Sequence, residues 1–129
     1  MAERSLGYAL VNYFDKTLPY LKRFLLDDNR WIKRAVGVAI HFFSKMVVDQ
    51  PDKTLTLVKL VEPYIEVSQR DVVKGIGWGL KTIGKHHPDL LTGFLVKQLN
   101  QGKRLSNLML KKALTYLPDK DRLKLRNAL

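Results

Sequence analysis

One segment of this chain occurs twice, 40 residues apart, and this repeat limits the fold more than any other feature. Residues 30–40 (RWIKRAVGVAI) align with residues 70–80 (RDVVKGIGWGL), and Lys45 then falls on Lys85. Both copies space their apolar residues three or four positions apart, as an amphipathic helix does. A helical repeat of this length predicts a solenoid, in which equivalent helices stack side by side. Any residue class that recurs on one helical face then forms a row across the molecule.

Helical periodicity extends over nearly the whole chain, and no stretch shows the strict alternation of a half-buried strand. We therefore predict an all-α fold, a HEAT-like helical-repeat solenoid of about eight helices. Caps and breakers place these helices at roughly residues 3–14, 18–26, 29–47, 53–61, 69–85, 89–100, 105–116 and 120–128. A single HEAT-like domain is expected over residues 1–129, with repeats at about 29–61, 69–100 and 105–129 after an N-terminal helix pair at 3–26.

Short polar side chains and prolines mark several helix starts. Asp28 or Asn29 can cap the third helix, because each side chain can accept a hydrogen bond from an unpaired amide at the helix start. Pro51 and Pro88 open the partner helices of the two copies, since proline fits the first helical turn. The correspondence therefore extends beyond the opening helix of each repeat.

A weaker third copy begins at Leu110. In it Lys112 takes the position that Lys74 holds in the second copy, and Tyr116 takes that of Trp78. Terminal repeats are commonly degenerate, because an end repeat has only one neighbour to bury against. The third copy extends the predicted row of equivalent positions to three helices.

The charge balance predicts a polyanionic partner. The net charge is +11, from 23 Lys and Arg against 12 Asp and Glu, which favours nucleic acid or an acidic membrane. There is no run of about 18 apolar residues and no secretory signal, so we expect a soluble, cytoplasmic protein without a membrane span. The chain has no Cys and only three His, and none of its spacings is that of a metal site. We expect neither a metal nor any other cofactor.

Cations recur on one helical face of both copies, at spacings of three, four or seven residues. Most charge runs are solvated faces, but here no Asp or Glu lies within residues 34–45 or within residues 74–85. Cations without counter-charges repel one another, and contact with phosphates would offset that repulsion. We predict a DNA-binding surface, called the basic face below, made of Arg34, His41, Lys45, Lys74, Trp78, Lys81, Lys85 and Lys112.

Aromatic and glycine residues bear on the same surface. Trp78 can pack its ring under lysine stems, or it can stack on a base or sugar and attract a cationic lesion. Gly75, Gly77 and Gly79 would each cost about 1 kcal/mol relative to Ala inside a helix. We expect helix packing to explain Gly75 and Gly79, and clearance for a ligand to explain Gly77. Trp31, at the start of its helix, is interpreted as structural.

One apparent motif is excluded. Residues 79–86 fit the G-x-x-x-x-G-K part of a phosphate-binding loop, but His86 stands where the magnesium-binding Ser or Thr is needed. The segment also lies inside a helical pattern with no strand before it. Nucleotide binding of that kind is therefore not predicted, and no carboxylate pair or Ser-His-Asp arrangement stands out.

Two motifs resemble the AlkD-like DNA alkylation repair glycosylases: DNRWIKRA at residues 28–35 and KGIGWGLK at residues 74–81. The resemblance implies a HEAT-like solenoid whose concave basic face binds duplex DNA and removes alkylated purines without flipping the base into a pocket. It also implies that Arg34 contacts the DNA backbone and that Trp78 packs near the lesion. Lys81 stands where the family usually has Arg, so the charge is kept but the bidentate fork for phosphate is lost.

The N-terminus departs from this family. A family member carries W-x-x-x-D on the preceding helix, and the Asp stabilises positive charge on the sugar. This chain lacks that motif, and Glu3 is the only acid close to the place. We therefore predict a DNA-binding module that grips duplex DNA phosphates. The alternatives are an active alkylpurine DNA glycosylase with Glu3 as a non-standard acid, and a HEAT scaffold that binds an acidic protein partner.

Overall fold

The structure is a computed structural model that describes residues 2–129, with side chains described from Ser5 onward. Over that range the chain forms eight α-helices, one single-turn 3₁₀ helix and no strand, so the predicted all-α fold is confirmed. The helices are α1 (Ala2–Asn12), α2 (Phe14–Leu25), α3 (Arg30–Met46), α4 (Pro51–Val61), α5 (Arg70–His86), α6 (Pro88–Asn100), α7 (Asn107–Ala113) and α8 (Asp119–Ala128), with the 3₁₀ helix at Glu62–Tyr64.

The two long helices begin at side-chain caps. Asn29 is the cap of α3, and its side-chain oxygen accepts the backbone N–H of Trp31 at 2.8 Å. Gln69 caps α5 in a similar way, accepting a backbone N–H at 2.9 Å. Pro51 and Pro88 are the first residues of α4 and α6, as the sequence predicts. Each cap satisfies an amide that the helix itself leaves unpaired.

The helix α2 differs most from the expectation. We expected a helix at residues 18–26, but α2 begins at Phe14 and contains Pro19 in its interior. Phe14 and Thr17 are buried at the corner with α1, and the Thr17 hydroxyl bonds to backbone carbonyl oxygen there. Burial of this corner extends the helix one turn earlier, and Pro19 removes only one backbone hydrogen bond. At the other end, α7 stops at Ala113, one turn before the expected residue 116.

The odd-numbered helices form a row. Helix α3 packs against α1 on one side and α5 on the other, and α5 packs in turn against α7. Three even-numbered helices lie against this row: α2 contacts α1 and α3, and α4 and α6 contact α5, whereas α8 packs on α6. This is the order of a HEAT-like solenoid, and it makes aligned positions of α3, α5 and α7 neighbours. One continuous apolar core runs through the stack, from Leu10 of α1 to Leu125 of α8.

The helices α3 and α5 approach each other at glycines. A Cβ on Gly37 would overlap the backbone of Gly75, and a Cβ on Gly75 would lie 2.6 Å from the carbonyl oxygen of Arg34. A Cβ on Gly79 would lie 3.0 Å from the carbonyl oxygen of Gly37. The expected packing role of Gly75 and Gly79 is therefore confirmed. The close approach sets the positions of the side chains that α3 and α5 present on the basic face.

Candidate nucleic-acid interface

Helix α5 carries half of the basic face on one side. The four residues are spaced four, three and four positions apart, which places them on one helical face. They are Lys74, Trp78, Lys81 and Lys85. Trp78 exposes 38% of its surface and Lys85 is exposed, whereas the other two lysines are partly buried. The helix thus presents an aromatic ring within a line of three ammonium groups.

His41 of α3 joins this line through two contacts with α5. Its ring stacks on the indole of Trp78, with centroids 4.1 Å apart and planes 22° apart. Its Nδ1 lies 2.6 Å from Oγ1 of Thr82. The Thr82 hydroxyl also lies 3.2 Å from the carbonyl oxygen of Trp78, so Thr82 connects the imidazole of α3 to the backbone of α5.

Cations from two helices surround this imidazole. The pKa of His41 is lowered from its ordinary value of 6.5, first by burial of the ring and then by the charges of Lys45 on α3 and Lys81 on α5. Both causes disfavour the imidazolium form. The ring is therefore neutral at pH 7, and a bound anion that screened the two lysines would raise its pKa.

Lys112 brings α7 into the same cluster. Its side-chain stem crosses Gly77, where an added Cβ would lie 2.8 Å from Cδ of Lys112. Gly77 thus accommodates a lysine stem from the next helix, and the expectation that it clears space for a ligand is wrong. The pKa of Lys112 is lowered first by burial and then by neighbouring lysines, foremost Lys81 and Lys74. These ammonium groups lie close enough together to repel one another.

Tyr116 belongs to this surface although the sequence-based prediction leaves it out. The Nζ atoms of Lys81 and Lys85 both lie 5.4 Å from the centroid of its ring, which is half exposed. Each such contact contributes roughly 0.5–1 kcal/mol at an exposed site. The sequence did hold a signal for this role, because the repeat alignment puts Tyr116 at the position of Trp78.

Trp31 also lies outside the core. It is 51% exposed, and the guanidinium groups of Arg30 and Arg34 lie 5.1 and 5.9 Å from its ring centroid. Trp31 therefore makes its contacts at the surface, and its interpretation as a structural residue stays a prediction. Trp31 is one turn before Arg34 on α3, so its ring extends the basic face toward the start of that helix.

Acidic groups flank the basic face and do not interrupt it. Asp71, one turn before Lys74, pairs with Arg30 at an Nε–Oδ2 distance of 3.4 Å. In the part of the chain that the structure describes, none of the five lysines of the basic face forms an ion pair with a carboxylate. Among the described residues, the five lysines therefore keep their positive charge, and the Arg30–Asp71 pair offsets charge at one edge of the surface.

Other kinds of site find no support among the described residues. No group of three or more His, Cys, Asp or Glu side chains from Ser5 onward could hold a metal ion. Residues 79–86 lie within α5, so they form no phosphate-binding loop. No helix in residues 2–129 is long and apolar enough to cross a membrane. Glu3, the acid considered for catalysis, lies outside the residues whose side chains the structure describes.

A comparison with protein families finds one match. The sequence model of a family described as DNA alkylation repair enzyme matches residues 1–117 of this chain. The matched region runs from α1 through α7 and contains all eight predicted residues of the basic face. No curated protein and no solved structure is significantly similar to the chain.

Proposed function

The chain belongs to the DNA alkylation repair enzyme family, and from this membership we propose that its basic face binds duplex DNA through the phosphates. The observation that carries the proposal is the convergence of cations from three helices. The pKa of His41 on α3 is lowered first by burial and then by Lys45 and Lys81, and the pKa of Lys112 on α7 first by burial and then by Lys81 and Lys74, so charges of α5 act on both neighbouring helices. Such a cluster has an electrostatic cost in the isolated protein, and a polyanion removes that cost on binding.

The chemistry of the cluster suits phosphates better than base edges. Its donors are lysine ammonium groups, which act as point charges, together with the single guanidinium of Arg34. Contacts of this kind fix the position of the duplex and carry little sequence information. We therefore expect affinity that depends strongly on salt and weakly on sequence.

The aromatic rings have a second role in this proposal. His41 covers one face of the Trp78 indole, while 38% of the Trp78 surface stays exposed. That exposed part can pack against a sugar or an unstacked base, and its π electrons attract a cationic alkylated base. The ring of Tyr116 contacts Lys81 and Lys85, which lie on the same helical face as Trp78. The Trp78 ring and these phosphate-binding lysines would therefore contact adjacent parts of one duplex.

The test of DNA binding is a salt titration of the wild type and the double variant Lys74→Ala/Lys81→Ala with one duplex. We expect the double variant to bind roughly 10- to 100-fold more weakly and its slope of log affinity against log salt to fall by about two. The matched control is Lys16→Ala/Lys120→Ala, which removes two exposed lysines elsewhere and should keep the slope. Equal losses of DNA affinity in the two double variants would refute the basic face as the binding site.

The family match also favours a second candidate function, the release of alkylated bases from DNA. The phosphate contacts would then position the lesion beside Trp78, and a carboxylate near the sugar would stabilise the developing positive charge. Glu3 is the acid nearest to that role along the sequence. Base release from alkylated duplex that is lost in Glu3→Gln, with DNA affinity retained, is the expected result. Absence of base release at high protein concentration would leave DNA binding as the only proposed function.

A further inference from the structure

A groove runs between α2 and α4, which among the described residues pack on the odd-numbered row and not closely on each other. One part of the groove has a volume of about 580 Å³ and the adjoining part about 290 Å³. The two parts share Lys22, Lys59 and Leu60, so they form one continuous channel, open to solvent. This channel is called the outer groove below.

Each wall of the outer groove is one face of a helix. The lining residues of α2 recur at three- or four-residue steps from Asp15 to Leu25, followed by Leu26. Those of α4 and the 3₁₀ helix recur in the same way from Thr56 to Tyr64. Apolar side chains dominate both faces, and Leu26 at one end is 76% exposed. Two parallel apolar strips at helical spacing are the form of a site that accepts a third helix.

The charges at the rim determine which charged side chains a bound helix must carry. Lys22 and Lys59 stand on opposite walls, are both exposed, and line the channel where its two parts meet. Asp15 is the single acid on the walls, at one end. Ammonium groups on both walls of an apolar channel complement carboxylates on either side of an apolar helical face.

We propose that the outer groove binds an amphipathic helix of an acidic partner protein. Leucine-type side chains of that helix occupy the space between α2 and α4, and its carboxylates pair with Lys22 and Lys59. None of the basic-face residues lies on α2 or α4, so the partner and DNA bind different surfaces. The protein can then hold both at once, and this inference does not depend on the proposed function.

The probe is a fluorescent synthetic helix of about four turns with Leu on one face and Glu on both flanks. Two matched peptides replace Glu by Lys or Leu by Ser. Fluorescence anisotropy should rank the Leu/Glu peptide at least about tenfold above each of the others. Amide chemical shifts of the labelled protein should move at Leu18 and Leu60 and stay in place at Trp78 and Lys81.

Charge exchange gives the decisive variant. Lys22→Glu/Lys59→Glu should lower the affinity for the Leu/Glu peptide by about tenfold and raise the affinity for the Leu/Lys peptide. The control Lys16→Glu/Lys120→Glu makes the same change in net charge outside the groove. Its affinity for the Leu/Glu peptide should stay within about twofold of the wild type. A duplex DNA added to the peptide complex should leave the peptide bound.

Three results would overturn the proposal. The first is equal affinity for the Leu/Glu and Leu/Lys peptides, and the second is equal weakening in the two double variants. The third is peptide-induced shifts on α5 together with displacement of the peptide by DNA, because the acidic helix would then occupy the basic face. DNA binding is measured separately in each variant, so a failure of the outer groove and a failure of the basic face give different results.

Discussion

Helix α5 uses its glycines differently on its two sides. Toward α3, Gly75 meets the backbone around Gly37 and Arg34, so the two helices touch main chain to main chain. Toward α7, Gly77 receives the side-chain stem of Lys112. Both glycines are buried and belong to one helix, yet the first contact involves backbone atoms and the second a flexible side chain.

The difference bears on how each contact places functional groups. A backbone contact leaves no room for adjustment, and it holds His41 against Trp78 and Thr82 across the α3–α5 contact. A lysine stem can rotate about four bonds, so Lys112 can follow a phosphate without moving α7. We infer that the α3–α5 side of the basic face is preorganised, whereas the α5–α7 side adapts to its ligand.

The largest effect is expected at the backbone contact. Gly37→Ala puts a Cβ into the backbone of Gly75, and neither helix can turn a side chain away. We expect a loss of at least about 3 kcal/mol in the free energy of unfolding, measured by urea denaturation followed by circular dichroism. The control is Gly93→Ala on α6, where an added Cβ meets nothing within 4 Å. Wild-type stability of Gly37→Ala would contradict the main-chain contact between α3 and α5.

The stack of His41 on Trp78 between α3 and α5 should make the free energy of unfolding depend on pH. The pKa of His41 is lowered in the folded state, so the unfolded chain binds the proton more readily as pH falls through about 6.5. The free energy of unfolding should therefore decrease from pH 8 to pH 5. His41→Gln should lose about 1 kcal/mol at pH 8 with the ring stack and show a smaller decrease at low pH.

Urea denaturation at the two pH values measures this difference. His86 leaves a residual dependence in the variant, because its pKa is also lowered, first by burial and then by Lys85. His86→Gln is therefore the matched control, and it should keep the part of the pH-dependent decrease in stability that is due to His41. An identical pH profile in His41→Gln and the wild type would contradict the preorganised α3–α5 contact.

Lys112→Met separates the charge of the α5–α7 contact from its packing. The Met side chain can still cover Gly77, while the repulsion that lowers the pKa of Lys112 disappears. Stability should stay equal or rise by less than about 1 kcal/mol. DNA affinity should fall severalfold, and the salt slope should decrease by about one. Lys111→Met, which removes an exposed lysine of α7, is the control, and an equal loss of affinity there would argue against Lys112 as a phosphate contact.

The smallest effect is expected at the glycine below that lysine. In Gly77→Ala the new Cβ meets Cδ of Lys112 at 2.8 Å, and this stem can move aside. The better helix propensity of Ala, about 1 kcal/mol, offsets the cost of that shift. Stability within about 1 kcal/mol of the wild type is the expected result of urea denaturation. A loss as large as that of Gly37→Ala would show that α7 is held as rigidly as α3.

Much of the fold follows from local patterns. The helical spacing of apolar residues, Asn29 as a cap and Pro51 at a helix start are signals of a few consecutive residues, and each is confirmed. The corner at Phe14 was missed: the helix expected at residues 18–26 has Pro19 in its first turn, where proline fits, whereas burial against α1 starts α2 at Phe14. The exposure of Trp31 was not predicted for a related reason, since the sequence near it does not reveal which side of the helix faces solvent.

The sequence by itself determined the repeat, the helical register and the excess of cations on one face of α3 and α5. These depend on spacing along the chain, and spacing on a helix is fixed by 3.6 residues per turn. Only the tertiary structure decided which neighbour each small residue meets, and it put Lys112 over Gly77 and His41 on Trp78. The physical reason is that packing between helices depends on the shapes of two surfaces at once, and residues from distant repeats supply them.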